Sequence, residues 1–103
     1  MAEEYSPASV PVKLTLNVYP NPLRTRAVIA WALPVGGRVS LKVYDATGRV
    51  VRDLVSERMD AGRYSVRWDG RAADGRRIAN GVYFCKLVTA VGARQQKLVI
   101  AKR

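Results

Sequence analysis

Residues Gly62–Phe84 read GRYSVRWDGRAADGRRIANGVYF, and this stretch decides the fold. Tyr64, Val66 and Trp68 alternate with Arg63, Ser65 and Arg67, the period-two pattern of a strand with one buried face. Asp69-Gly70, Asp74-Gly75 and Asn80-Gly81 then punctuate a polar loop, each pair suited to a turn in which glycine takes positive φ. A second alternating run, Val82–Val88, follows at once. Two strands joined by a shaped loop, with no acid–base or nucleophilic cluster, have the character of scaffold.

Outward from this hairpin the same grammar repeats. Lys13–Tyr19 is a first strand, with Leu14, Leu16 and Val18 on one face. It is stopped by Tyr19-Pro20-Asn21-Pro22, where two prolines remove ladder donors and fix φ. Arg26–Leu33 is the second, with Ile29, Trp31 and Leu33 facing one way. Arg38–Asp45 is the third, with Val39, Leu41 and Val43 inward and Arg38, Ser40, Lys42 and Tyr44 outward. Asp45-Ala46-Thr47-Gly48 is a turn that starts on an Asx residue and ends on a glycine. It leads into a partner strand, Arg49–Val55, that buries Val51 and Leu54, and Ser56–Ala61 is expected as a loop. Val91-Gly92 turns the chain into a last strand, Arg94–Ala101, with Leu98 and Ile100 inward and Lys97 outward. No segment sustains helical spacing. The expectation is an all-β fold, an antiparallel immunoglobulin-like β-sandwich of about seven strands. Residues 1–11 are expected as a disordered leader or linker, and residues 12–103 as the domain.

Composition narrows the function. The 103 residues suffice for one domain with a modest core. No apolar run is long enough for a membrane helix, and no signal peptide is visible in the polar start. Eighteen lysines and arginines against eight acids give a net charge of +10, a balance that suits anionic partners. Nucleic acid is not expected, because Tyr44 and Phe84 are too few aromatics for a stacking platform. Histidine is absent and Cys85 is the single cysteine, which excludes an internal disulfide and a cysteine-rich zinc site. Cys85 alternates with Tyr83 and Leu87 and is expected in the core. No catalytic residue, cofactor or small-molecule substrate is expected. Asp69, Asp74 and Asn80 do not match the spacing of a calcium loop, so the chain is expected to hold no metal and these residues to form turns. Asp45, Gly48, Asp69, Gly70 and Gly81 are assigned structural roles, as are Trp31 and Trp68 in the core. Tyr83 is expected to bury its ring while its hydroxyl reaches backbone. Arg63 and Arg67, with Arg71, Arg76 and Arg77 of the following loop, form a candidate anion-binding face.

An ordered set of motifs spans Leu16 to Lys102: Tyr19-Pro20-Asn21-Pro22, Ile29–Pro34, Val43–Val51, Gly62-Arg63-Tyr64, Trp68-Asp69-Gly70 and Gly81-Val82-Tyr83-Phe84. This set resembles the type A C-terminal sorting domains of type IX secretion cargo, and equally the related immunoglobulin-like domain of flagellar hook-capping proteins. The closing Lys97–Arg103 is similar to the basic-flanked apolar strand that ends such sorting domains, and a chain that stops just after that strand favours the sorting domain. The resemblance implies a non-catalytic domain that directs an upstream cargo through the periplasm to the cell surface. Its implied partners are an outer-membrane translocon and a surface sortase, with anionic lipopolysaccharide as a further candidate. By the same resemblance Lys97, Leu98, Val99, Ile100 and Lys102 carry the recognition signal, and cleavage falls about Ser6–Val12. The alternatives are a structural assembly domain of hook-capping type and an adhesion module for acidic glycans.

Overall fold

The computed structural model describes residues 2–4 and 10–102. Among the described residues eight strands are present: β1 (Ala2–Glu4), β2 (Thr15–Tyr19), β3 (Ala27–Leu33), β4 (Gly37–Asp45), β5 (Val50–Met59), β6 (Gly62–Trp68), β7 (Gly81–Thr89) and β8 (Gly92–Ile100). They form two antiparallel four-stranded sheets, in the orders β1-β6-β3-β2 and β5-β4-β7-β8. This is the immunoglobulin-like sandwich expected from the alternation.

Side chains from both inner faces meet between the sheets. Ile29, Trp31, Leu33, Tyr64 and Trp68 come from β3 and β6, and Val39, Leu41 and Val43 from β4. Cys85 and Leu87 of β7 and Leu98 of β8 are fully enclosed. Trp31 stacks on its register partner Tyr64, with ring centroids 5.7 Å apart and planes 23° from parallel.

Two corrections follow from backbone pairing that leaves no apolar signature. Ala2–Glu4, expected within a disordered leader, pairs antiparallel with β6, Glu3 lying opposite Tyr64. A three-residue strand can pair with a free sheet edge through its backbone without any alternating pattern in its sequence. Residues 5–9, which fall in the expected linker and cleavage segment, lie outside the described residues. The second correction concerns β5, which runs on through Ser56 to Met59 where a loop was expected. Register shifts at Leu41/Lys42 and Val43/Tyr44 break its phase. Val55 is therefore the buried residue of β5, and Val51 and Leu54 are half-buried.

Burial determines the behaviour of the single thiol. Cys85 is wholly enclosed, and desolvation pushes its pKa up to about 12. The thiolate is the reactive form, so the folded protein at pH 8 is expected to resist a disulfide reagent such as DTNB. The guanidinium-unfolded chain should react within the mixing time. Fast, stoichiometric labelling of the native protein would show that Cys85 is open to solvent.

Candidate functional site

The end of the sandwich where β6 runs out is built on Trp68. Its ring is fully buried and its Nε1–H donates to the Arg71 carbonyl at 3.0 Å. Asp69 Oδ1 accepts the Arg71 N–H at 3.0 Å and Arg52 Nη1–H at 3.1 Å. The same Arg52 nitrogen donates to the Arg71 carbonyl at 3.0 Å. Burial raises the Asp69 pKa, but the Arg71 N–H and the neighbouring Arg52 guanidinium outweigh it and hold the carboxyl below its ordinary range. The carboxylate is thus already committed to its turn. Gly70 then reverses the chain at φ +73°.

The following loop closes on itself as a small hairpin. Arg71 and Arg77 pair as an antiparallel bridge, and the Ala72 N–H donates to the Arg76 carbonyl at 2.8 Å. Asp74 caps the tip, accepting the Arg76 N–H at 3.0 Å and its Nε–H at 2.9 Å. Arg71 and Arg77 are thereby set side by side next to Arg67 of β6. Arg26, which leads into β3, and Arg52 of β5 complete the lining of an open hollow of about 390 Å³ that also includes Asp69.

Of the expected anion-binding face, then, Arg67, Arg71 and Arg77 share one hollow. Arg63 lies apart, beside a trough on the outer face of β2, β3 and β6. Arg76 lines a different hollow and is paired with Asp74. Arg26 and Arg52 were not singled out from sequence. Nothing in the linear pattern sets Arg26 apart from Arg24 or Arg52 from Arg49, and only the β3–β6 register and the β5 connection bring them to Trp68.

Lys97–Lys102 is a mixed surface. Leu98 and Ile100 belong to the core, Lys97 is exposed, and Val99 and Lys102 are half-buried. The open side of this part of β8 is held by the proline-flanked segment. Asn21 Nδ2–H donates to the Lys97 carbonyl at 2.9 Å, and Asn21 Oδ1 accepts the Val99 N–H at 3.0 Å. The Leu23 N–H donates to the Val99 carbonyl at 2.9 Å, and the Leu23 carbonyl accepts the Ala101 N–H at 2.9 Å. Asn80 makes the same two-point clasp on Lys102, with both bonds at 2.9 Å. Asn21 and Asn80, each in a turn-like stretch, are therefore also the fasteners of the last strand.

The remaining singled-out residues shape the turn beside the β6–β7 loop and the start of β7. Asp45 Oδ1 accepts from the Thr47 hydroxyl at 2.6 Å, the Thr47 N–H at 2.9 Å and the Arg49 N–H at 3.0 Å. The Thr47 hydroxyl first, then the Arg49 N–H, lower the Asp45 pKa. Gly48 closes this turn through its N–H to the Asp45 carbonyl at 3.0 Å. Gly81 opens β7, and the Tyr83 hydroxyl donates to the Ala79 carbonyl at 2.7 Å. This is the tyrosine corner of immunoglobulin-like sandwiches, with Cys85 two residues on. The Tyr64 hydroxyl makes the equivalent bond to the Asp60 carbonyl at 2.7 Å.

Comparison with known proteins follows the same outline. The basal-body rod modification protein FlgD of Salmonella typhimurium is 34% identical over 58 residues, 56% of this chain and 25% of that protein. The chain thus spans about a quarter of the length of the curated relatives it matches. PorZ, described as an essential surface component of the type-IX secretion system of Porphyromonas gingivalis, superposes with a TM-score of 0.60 at 28% identity. That match covers 84% of this chain and 11% of PorZ. FlgD of Pseudomonas aeruginosa superposes with a TM-score of 0.54 at 28% identity, over 80% of this chain and 63% of that one. The family model of the FlgD Ig-like domain matches residues 33–92, from the end of β3 to the start of β8 and more than half of the sequence. The chain belongs to the FlgD Ig-like domain family.

Proposed function

We propose that this domain is a non-catalytic sorting module that directs a fused cargo through a type IX secretion system to the cell surface. The observation that carries the reading is the clasped outer surface of β8. A receptor that reads a folded domain needs side chains of fixed position, and Asn21, Leu23 and Asn80 fasten the backbone from Lys97 to Lys102. Lys97 and Val99 are the recognition side chains on this reading, with Lys102 beside them, while Leu98 and Ile100 anchor the strand from within. The likeness to PorZ over 84% of this chain supports the same system. An outer-membrane translocon and a surface sortase would be the partners, with anionic lipopolysaccharide the final acceptor of the cargo.

A second reading, a structural assembly domain of the flagellar hook cap, is favoured by the family match over residues 33–92. FlgD of Xanthomonas campestris, whose hook capping is described as essential for flagellar assembly, superposes with a TM-score of 0.51 at 27% identity.

The test is a fusion of the domain behind an exported reporter in a type IX-competent bacterium. Deleting Lys97–Arg103 would strip Leu98 and Ile100 from the core, so loss of delivery in that truncation would carry no information. The informative variant is Lys97→Glu with Val99→Ser, which alters the outer face of β8 alone. The parent fusion is expected at the surface, and the double variant is expected to stay in the periplasm with a Tm close to the parent's. Periplasmic retention of the folded parent would reject sorting and favour the hook-cap reading.

A further inference from the structure

We infer that the hollow beneath the β6–β7 loop is a binding site for a ligand carrying two or more phosphate groups. This does not depend on the sorting reading. Five guanidiniums, those of Arg26, Arg52, Arg67, Arg71 and Arg77, line one hollow with a single carboxylate, Asp69. That carboxylate is taken up by Arg52 and by the Arg71 N–H. Arg52 also donates to the Arg71 carbonyl, and Arg71 donates to the Gly75 carbonyl at 2.9 Å. Arg26, Arg67 and Arg77 have no acceptor or ion-pair partner among the described residues.

Three uncompensated guanidiniums around one concavity repel one another, and folding tolerates this only because they remain open to solvent. An anion placed between them turns that repulsion into attraction. Arginine's planar fork offers paired N–H donors matched to the oxygens of a phosphate. A single carboxylate would satisfy one fork at most. A diphosphate presents enough oxygens and charge for all three, and the hollow's volume falls in the usual range of small-ligand sites, roughly 300–1,000 Å³. The scaffold beneath is rigid: Trp68 is fully buried under the site, and the Arg71–Arg77 bridge fixes the spacing of the loop side. On the neighbouring face, by contrast, Arg76 already has Asp74.

The experiment titrates inorganic pyrophosphate into the whole chain by calorimetry at low and moderate salt, with vesicles of cardiolipin, whose headgroup carries two phosphates, in a phosphatidylcholine background as a second arm. Arg67→Gln with Arg77→Gln is compared with Arg63→Gln plus Arg76→Gln, which removes the same charge elsewhere. All four side chains are exposed, so both variants should keep the parent fold. The expected result is saturable binding by the parent that weakens as salt rises. Its Kd should rise about 10- to 100-fold in the Arg67/Arg77 variant and by much less in the control. Site-dependent binding to pyrophosphate alone would point to a soluble diphosphate, and site-dependent binding to vesicles would point to a lipid headgroup. Equal weakening in both double variants, or no saturable binding in either arm, would overturn the assignment.

Discussion

Trp68→Ala is expected to lower the stability of the domain by about 3–5 kcal/mol, the range for emptying a large aromatic from a core. The indole is fully buried where β3, β6 and the β6–β7 loop converge, and its register partner across the sheet is only Ala27. That small partner cannot collapse into the space. The lost hydrogen bond matters less, because the Arg71 carbonyl keeps its second donor, Arg52. Trp68→Phe, which deletes that bond and part of the ring, should therefore cost about 1–2 kcal/mol. For a domain of this size each kcal/mol moves the midpoint by roughly 4–8 °C. The alanine variant should melt about 12–40 °C below the parent, or fail to fold if the parent has only ~5 kcal/mol in hand. Circular dichroism melts of the three proteins decide the matter. A Trp68→Ala midpoint within a few degrees of the parent would mean that the core does not depend on this ring.

The features legible in the sequence were those written in apolar alternation. β3, β4, β6 and β7 each place a large side chain at every second position, and the inward sets Ile29/Trp31/Leu33 and Val39/Leu41/Val43 are buried as that period requires. β5 was only half legible. Two bulges in its pairing with β4 shift the phase, and its outer half, Ser56–Arg58, pairs through backbone while its side chains face water. β1, three residues reading Ala-Glu-Glu, pairs through its backbone and carries no apolar alternation. The candidate site was less legible still, because it depends on long-range geometry. Asn21 meets Lys97 and Val99 across most of the chain, and the arginine hollow draws on four separate segments. A charged residue carries no period, so the sequence shows that arginines are in excess but not which ones converge. Arg63, which shares a strand face with Arg67 in the linear pattern, ends up at the opposite end of β6 beside Tyr64.

Gly70→Ala is the second change expected to have a large effect, and it acts on the joint between fold and site. Gly70 sits at φ +73°, where a residue with a Cβ costs about 1–3 kcal/mol. Its surroundings add a further penalty. An ideal Cβ there would lie 2.4 Å from the Thr25 carbonyl oxygen, a backbone atom with no rotamer by which to withdraw. Relief requires the β2–β3 connection to part from the β6–β7 loop, and overpacking of this kind costs about 1–3 kcal/mol more. The expected total is about 2–6 kcal/mol. Gly48 provides the control: its φ is +91°, but among the described residues nothing lies within 4 Å of the point an added Cβ would occupy. Gly48→Ala should therefore cost only the backbone part, about 1–3 kcal/mol. Denaturant midpoints of both variants separate steric contact from dihedral strain. Thr25 and Arg26 line the hollow from the side that must move, whereas Arg71 and Arg77 line it from the loop. Gly70→Ala should therefore also weaken pyrophosphate binding under conditions where the variant remains folded, and Gly48→Ala should leave binding unchanged. Equal destabilisation by the two substitutions would show that the Thr25 carbonyl yields freely and that the close approach at Gly70 is not what holds the loop in place.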